Sequence, residues 1–305
     1  MNAKFLKSPL RYPGGKSRAI KILKYFFPKD FSEFREPFFG GGSVGLFLAQ
    51  QVMQDDFSGN SLFDEINFIP KHFFVNDLNY ELFCFWQTLK TQNQALIDAI
   101  QKMKKRFQNG RELYESILYR RNENLSEFQR AVDFFVLNRI AFSGVVDSGG
   151  YSQKAFESRF TQSSIERLKN MDKILANFTF SNDDYEVLLK RQGKNVFIFL
   201  DPPYYSATKS KLYGKKGNLH TNFNHQKLCD NLKNIKHKFL LTYDDSELIR
   251  ELYKDFYICE YSLQYGMNNF KQEKAQKGAE LLISNFSLEK NQISMWSTHK
   301  GVKCK

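Results

Sequence analysis

The stretch Val196 to Leu200, VFIFL, runs five apolar residues without a break and then meets Asp201, Pro202 and Pro203. A strand with no polar face is one covered on both sides, which places it at the centre of a mainly parallel sheet flanked by helices. The two prolines fix φ and remove two amide donors, so the strand cannot continue past Asp201. In open α/β sheets the carboxyl ends of the strands are where ligands bind. Asp201 therefore stands at a ligand edge, beside backbone carbonyls without ladder partners and ahead of the flat ring of Tyr204. Two rigid acceptors next to a stacking ring suit a planar group that bears an NH2, such as the exocyclic amine of a base. The plainer alternative is a turn in which Asp201 caps a helix and Tyr204 packs on the sheet.

Two further segments fit the same architecture. EPFFGGGSVGLF, from Glu36, reads as a strand end near Arg35 to Phe38, a glycine turn at Gly40 to Gly42 and a helix from about Ser43. Gly40 and Gly42 permit positive φ and let a ligand approach the backbone, and the amides that open the helix attract a carboxylate or polar edge. HFFVNDLN reads as a second strand ending at Asn76 and Asp77. An acid at that strand tip accepts hydrogen bonds from a ribose diol in a nucleoside-binding crevice. YPGGKS imitates a phosphate-binding loop, but Leu10 occupies the position of the first glycine that such a loop requires.

Between these ends the pattern changes. Residues 81–175 are mostly helical in periodicity and rich in Lys, Arg, Gln and Asn, with NQALIDAIQKMKKRFQNG and EFQRAVDFFVLNRIAF as helices. SGVVDSGGYSQ reads as a loop, and TQSSIERLKNMDKIL as one helix with a Ser cap before Glu166. The α/β pattern then resumes with FTFSNDDYEVLLK, HKFLLTYDDSELIRELY and YICEYSL, and AELLISNFS closes the sheet. The expected organisation is an α/β domain from residues 1–80 and 176–305, with an inserted helical domain at 81–175. The basic stretch from Ser206 to Phe223 is too long for an ordinary connection and reads as a functional flap or a solvated loop. A net charge of +12 favours a polyanionic partner. The four cysteines form no CxxC pair and have no His at ligand spacing, so reduced thiols and no metal are expected. Neither a signal-peptide core nor a membrane-length apolar run is present, so an intracellular protein with no membrane partner is expected.

Four segments in this order, LRYPGGK, EPFFGGGSV, VNDLN and DPPY, resemble the Dam-like (D12 class) DNA N6-adenine methyltransferases. The similarity covers the α/β parts at both ends and, less clearly, the helical middle. It implies a Rossmann-like S-adenosylmethionine-dependent methyltransferase sheet carrying an inserted, mainly helical target-recognition domain. Carried over residue by residue, Tyr12, Lys16, Phe38, Gly40, Gly42, Asp77 and Asp184 would bind the cofactor, together with Asp201. Asp183 is the alternative to Asp184, since spacing does not decide between them. Tyr12 stands where the family often has Trp and keeps an aromatic surface.

The resemblance also implies a mechanism. Asp201 and the Pro202 carbonyl would accept the two N–H bonds of a flipped-out adenine amine, with Tyr204 stacked on the base. No metal and no covalent intermediate are needed. The partner would be double-stranded DNA in the bacterial cytoplasm or nucleoid, with a cognate restriction endonuclease as a further candidate partner. AFSGVVDSGGYS is the candidate reading loop, with Lys and Arg of the helical middle on phosphates. The Arg-bearing loop and phenylalanine-asparagine-valine-proline run expected of GATC enzymes are both missing, so the recognised site stays open. The alternatives are an N4-cytosine enzyme, for which Ser in place of Asp201 is usual, and a non-catalytic DNA-binding protein of the same fold.

Overall fold

The computed structural model describes residues 6–58, 70–146, 149–206, 223–263, 278–287 and 302–304. The strands among them are β1 (Glu33–Glu36), β2 (His72–Asn76), β3 (Phe178–Ser181), β4 (Val196–Leu200), β5 (Lys238–Asp244), β6 (Tyr257–Leu263), β7 (Gly278–Ser284) and β8 (Val302–Cys304). They form one sheet in the order β3-β2-β1-β4-β5-β7-β6-β8. Strands β1 to β5 pair in parallel, and β7 lies antiparallel between β5 and β6. The fold is α/β and Rossmann-like, as the central apolar run required: β4 is paired on both edges and all five of its residues are buried.

Chain order reverses between β1 and β4, which are hydrogen-bonded neighbours with Arg35 level with Ile198. That reversal opens a crevice at the carboxyl ends of the strands. The glycine turn leaves β1 and Asp201 leaves β4, so the two motifs arrive side by side at the switch point. The strand AELLISN does not close the sheet as expected. It is wedged inside it, and β8 pairs with β6 beyond it.

The helices among the described residues are α1 (Ile20–Leu23), α2 (Ser43–Ser58), α3 (Tyr80–Thr91), α4 (Asn93–Arg106), α5 (Gly110–Arg120), α6 (Glu127–Ile140), α7 (Gln153–Arg159), α8 (Gln162–Glu166), α9 (Met171–Ile174), α10 (Tyr185–Lys190), α11 (His225–Lys233) and α12 (Glu247–Leu252). Helices α3 to α9 fill the connection from β2 to β3. Asn79 caps α3 by accepting the Glu81 and Leu82 amides, and Ser126 with Gln129 forms a capping box on α6. From Ala131 to Ile140 every residue of α6 is buried, so it is the hub around which the other helices pack. Inside it, Asp133 pairs with Arg120 of α5.

The helical stretch and the sheet share one apolar core. Trp86 of α3 packs edge-on against Phe39, beside the glycine turn, and parallel to Phe180 of β3. The stretch TQSSIERLKNMDKIL is not one helix. It breaks at Asn170, which sits at φ +62°, and the cap of its first half is Thr161 rather than a serine. Cys84 and Cys229 are free thiols, whereas Cys259 is disulfide-bonded, which departs from the expected reduced set. In the sheet register Cys259 stands opposite Cys304. Among the described residues no helix is long and apolar enough to cross a membrane.

Candidate active site

Asp201 emerges from β4 with its side chain 22% exposed at the crevice. Its Oδ1 is held from two sides, by the Lys16 ammonium at 2.8 Å and by the Thr242 hydroxyl at 2.8 Å. Its Oδ2 has no hydrogen-bond partner among the described residues. Lys16 is itself only 4% exposed, donates to the Gly14 carbonyl at 3.2 Å and lies 4.7 Å above the Tyr204 ring. A cation buried against a carboxylate and an aromatic face is held by both contacts. The turn after Pro203 is fixed from β5, because the carboxylate of Asp244 accepts the Tyr205 and Ser206 amides at 2.8 Å each. Asp201 accepts from Lys16 and Thr242 rather than from a helix amide, while the Tyr204 ring, as the plainer alternative had it, also packs on the sheet beside Tyr243.

The Tyr204 hydroxyl donates to Glu280 of β7 at 3.0 Å, and the Tyr261 hydroxyl of β6 donates to the same oxygen. Burial raises the Glu280 carboxyl above the usual range, partly offset by nearby Lys16 and by Tyr261. Burial likewise pushes the Tyr204 phenol well up. Glu280 and Thr242 were not singled out from the sequence. Each is a polar residue inside an apolar strand, AELLIS and FLLTY, and that mismatch was the available signal.

Gly40 and Gly42 sit at φ +49° and +67°, so the turn needs them for its backbone. Their missing side chains make room for the protein itself rather than for a ligand. A Cβ on Gly40 would lie 2.8 Å from the Tyr12 ring, and one on Gly42 would lie 2.6 Å from the Phe39 ring. Tyr12 thus lies over the turn. The Gly41, Ser43 and Val44 amides find no acceptor among the described residues, while Gly45 donates to buried Glu36 at 3.0 Å. Burial drives the Glu36 carboxyl well above the normal range. The turn is tied to α3 by the Trp86 indole, which donates to the Gly40 carbonyl at 3.0 Å.

Asp77 leaves β2 beside this turn. Its Oδ2 accepts the Gly40 amide at 2.8 Å and its Oδ1 the Asn79 amide at 2.9 Å. Burial nevertheless raises its carboxyl to about 6. Asn76, also missed in the sequence, stitches the strand tips together. It donates to the Pro37 and Asp183 carbonyls and accepts from Ser181 and the Asp183 amide. Asp184 spends one carboxylate oxygen capping α10, whereas the exposed Asp183 carboxylate makes no contact among the described residues. Phe38 stacks on Tyr185 with ring centres 5.2 Å apart and meets Phe223 edge-on. The expected flap lies outside the described residues, apart from its ends at Ser206 and Phe223.

The helical stretch reaches the same crevice through Asn138 of α6. Its amide donates to the carbonyls of Arg11 and Gly144, and its oxygen accepts the Arg11 amide. The loop AFSGVVDSGGYS is closed by a bridge between Ala141 and Tyr151, and presents Phe142 65% exposed. Arg139 is 3% exposed, and its Nε and Nη2 lack acceptors among the described residues. Burial and the neighbouring charges of Arg167, Arg11 and Arg159 pull its pKa down to about 9. None of these four arginines forms an ion pair among the described residues. Among the described residues no group of three or more His, Cys, Asp or Glu side chains is arranged to hold a metal.

Residues 12–267 match the family model described as D12 class N6 adenine-specific DNA methyltransferase. The chain is 24% identical over 298 residues to the type II methyltransferase M1.LlaDCHI of Lactococcus lactis subsp. cremoris, covering 90% of this chain and 94% of that protein. It is 25% identical over 297 residues to the type II methyltransferase M.CviBI of Paramecium bursaria Chlorella virus NC1A, covering 92% and 100%. A DNA adenine methylase of Vibrio cholerae is 25% identical over 205 residues, 64% of each chain.

Proposed function

The chain belongs to the D12 class N6 adenine-specific DNA methyltransferases, and from that premise we propose that methyl transfer is organised around the open oxygen of Asp201. The enzyme is a DNA adenine methyltransferase whose family uses S-adenosylmethionine, which supplies an electrophilic methyl group on a positively charged sulfur. The crevice fits such a cofactor by its donor set. Unpaired amides at Gly41, Ser43 and Val44 suit a carboxylate, and the strand-tip acids Asp77 and Asp183 suit the hydroxyls and amine of a nucleoside. Tyr12, Lys16, Phe38, Gly40, Gly42 and Asp77 would hold it, with Asp183 or Asp184 on its adenine and Asp201 at its reactive end.

The amine of adenine is a poor nucleophile because its lone pair is delocalised into the ring. With Oδ1 pinned by Lys16 and Thr242, Asp201 offers Oδ2 to one N–H of that amine. The Pro202 carbonyl, which accepts no hydrogen bond among the described residues, offers itself to the other. Two fixed acceptors draw the nitrogen toward a tetrahedral shape and stabilise the positive charge that grows on it. Tyr204, with Lys16 over its ring, would offer the base its aromatic surface. Extrusion of the base from the duplex costs a few kcal/mol. Direct displacement at carbon leaves no step for a Lewis acid, so we infer that no metal is required.

Helices α4 to α9 form the DNA-reading part of 81–175, with the loop after α6 at the bases and Arg11, Arg159 and Arg167 at the phosphates. Relatives named type II methyltransferases support a cognate restriction endonuclease as partner, and DNA as substrate supports a location in the cytoplasm or nucleoid.

The observation that carries this reading is the carboxylate of Asp201, pinned through one oxygen and open at the other. Asp201→Asn keeps an oxygen for Lys16, and we expect it to fold like the parent while transfer of labelled methyl groups into duplex DNA falls by at least about a thousandfold. Turnover close to the parent would overturn the assignment. Long-read sequencing of DNA from a host that expresses the chain identifies the methylated base and its context.

A further inference from the structure

Glu280 is an acid in a strand that otherwise belongs to the core. It is 2% exposed, and its Oε1 is buried with no hydrogen-bond partner among the described residues. A carboxylate left half-satisfied in the interior is unfavourable, and a leucine or glutamine would suit the strand better. Its other oxygen accounts for its presence. Oε2 takes the hydroxyl of Tyr261, the residue directly across in β6, and the hydroxyl of Tyr204 from the catalytic turn. Tyr204 is thus fixed at two points, its hydroxyl by Glu280 and one ring face by Lys16. Neither residue belongs to the Asp-Pro-Pro-Tyr segment.

We propose that Glu280 is a positioning residue for Tyr204, holding the phenol in the orientation in which its ring meets the extruded base. The inference rests on the methyl-transfer reading above and adds a residue from the antiparallel part of the sheet. Glu280 touches neither base nor methyl donor in this scheme. It acts through one hydroxyl, and that gives the proposal its test.

The experiment is a double-mutant cycle on labelled-methyl transfer into duplex DNA, with cofactor binding measured alongside. Glu280→Ala and Tyr204→Phe should each lower kcat by about tenfold, and the double variant should lose no more than either alone, because both remove the same bond. Glu280→Gln keeps the acceptor and should recover most of the activity, within about threefold of the parent. Cofactor affinity should change less than about twofold in all of them. Losses that multiply in the double variant, or Gln no better than Ala, would overturn the proposal. If Glu280→Ala does not fold, Glu280→Leu, which removes the acceptor and keeps the volume, is compared in the parent and in the Tyr204→Phe background. A loss in the parent that vanishes in that background supports the anchor, and equal losses in both, or none in either, refute it. An inert parent chain would sink the methyl-transfer reading itself, whereas an active parent with multiplying losses sinks only the anchor.

Discussion

A carboxylate that must recognise a neutral ligand is most useful when it is ionised, and Asp77 sits where that is in question. Burial lifts its carboxyl from 3.8 to about 6, against the pull of the Asn79 and Gly40 amides. A group whose pKa is raised by folding stabilises the fold fully below about pH 4 and withdraws that contribution as pH climbs through about 6. Ligand binding has the opposite sign, since only the ionised form is purely an acceptor. Calorimetric titration should therefore find S-adenosylmethionine bound on the order of tenfold more tightly at pH 7 than at pH 5, with the slope removed in Asp77→Asn. A pH-independent affinity would remove Asp77 from the cofactor site. Asp77, Asp201, Gly40 and Tyr204 were legible in the sequence because strand ends and turns advertise themselves through prolines, glycines and abrupt changes of polarity. Thr242, Glu280 and Asn138 were not. Their roles come from partners 41, 76 and 127 positions away, and no local pattern carries such a separation.

At the level of elements, the parallel strands and long helices followed from periodicity, while their terminations followed from chemistry that is harder to foresee. The turn after β1 shows why glycine there is demanded by more than a ligand. At φ +67°, with the Phe39 ring 2.6 Å from where a Cβ would sit, any side chain at Gly42 strains the turn and displaces that ring. Gly42→Ala should lose about 2 kcal/mol or more of stability and lower the melting temperature by several degrees. An unchanged melting temperature would mean that the turn can rearrange. Short helices were the least legible element. The break at Asn170 needs a left-handed residue that Asn supplies only with tertiary support, and the helical spacing of TQSSIERLKNMDKIL runs straight through it. The wedging of β7 between β5 and β6 was equally hidden, because a strand's apolar pattern states its burial and not its neighbours.

On the scale of the whole molecule, two surfaces of different character meet at one crevice: a strand-tip pocket of acids and aromatic rings, and a helical layer with a group of arginines that form no ion pair among the described residues. Asn138 joins them by holding both the segment before Tyr12 and the loop after α6. The net charge of +12 pointed to a polyanion, and the structure shows where part of that charge is concentrated. Arg159→Ala and Arg167→Ala should each weaken DNA binding for all sequences alike and reduce the slope of log affinity against log salt by about 1, with cofactor binding untouched. A sequence-selective loss would instead make them base readers. The wedged strand has a consequence for biosynthesis. The Tyr204 hydroxyl finds its acceptor in a strand that begins at Gly278 and inserts between β5 and β6. A nascent chain on the ribosome therefore carries every residue of its Asp-Pro-Pro-Tyr turn before the acceptor of the Tyr204 hydroxyl, 76 positions further on, has been made.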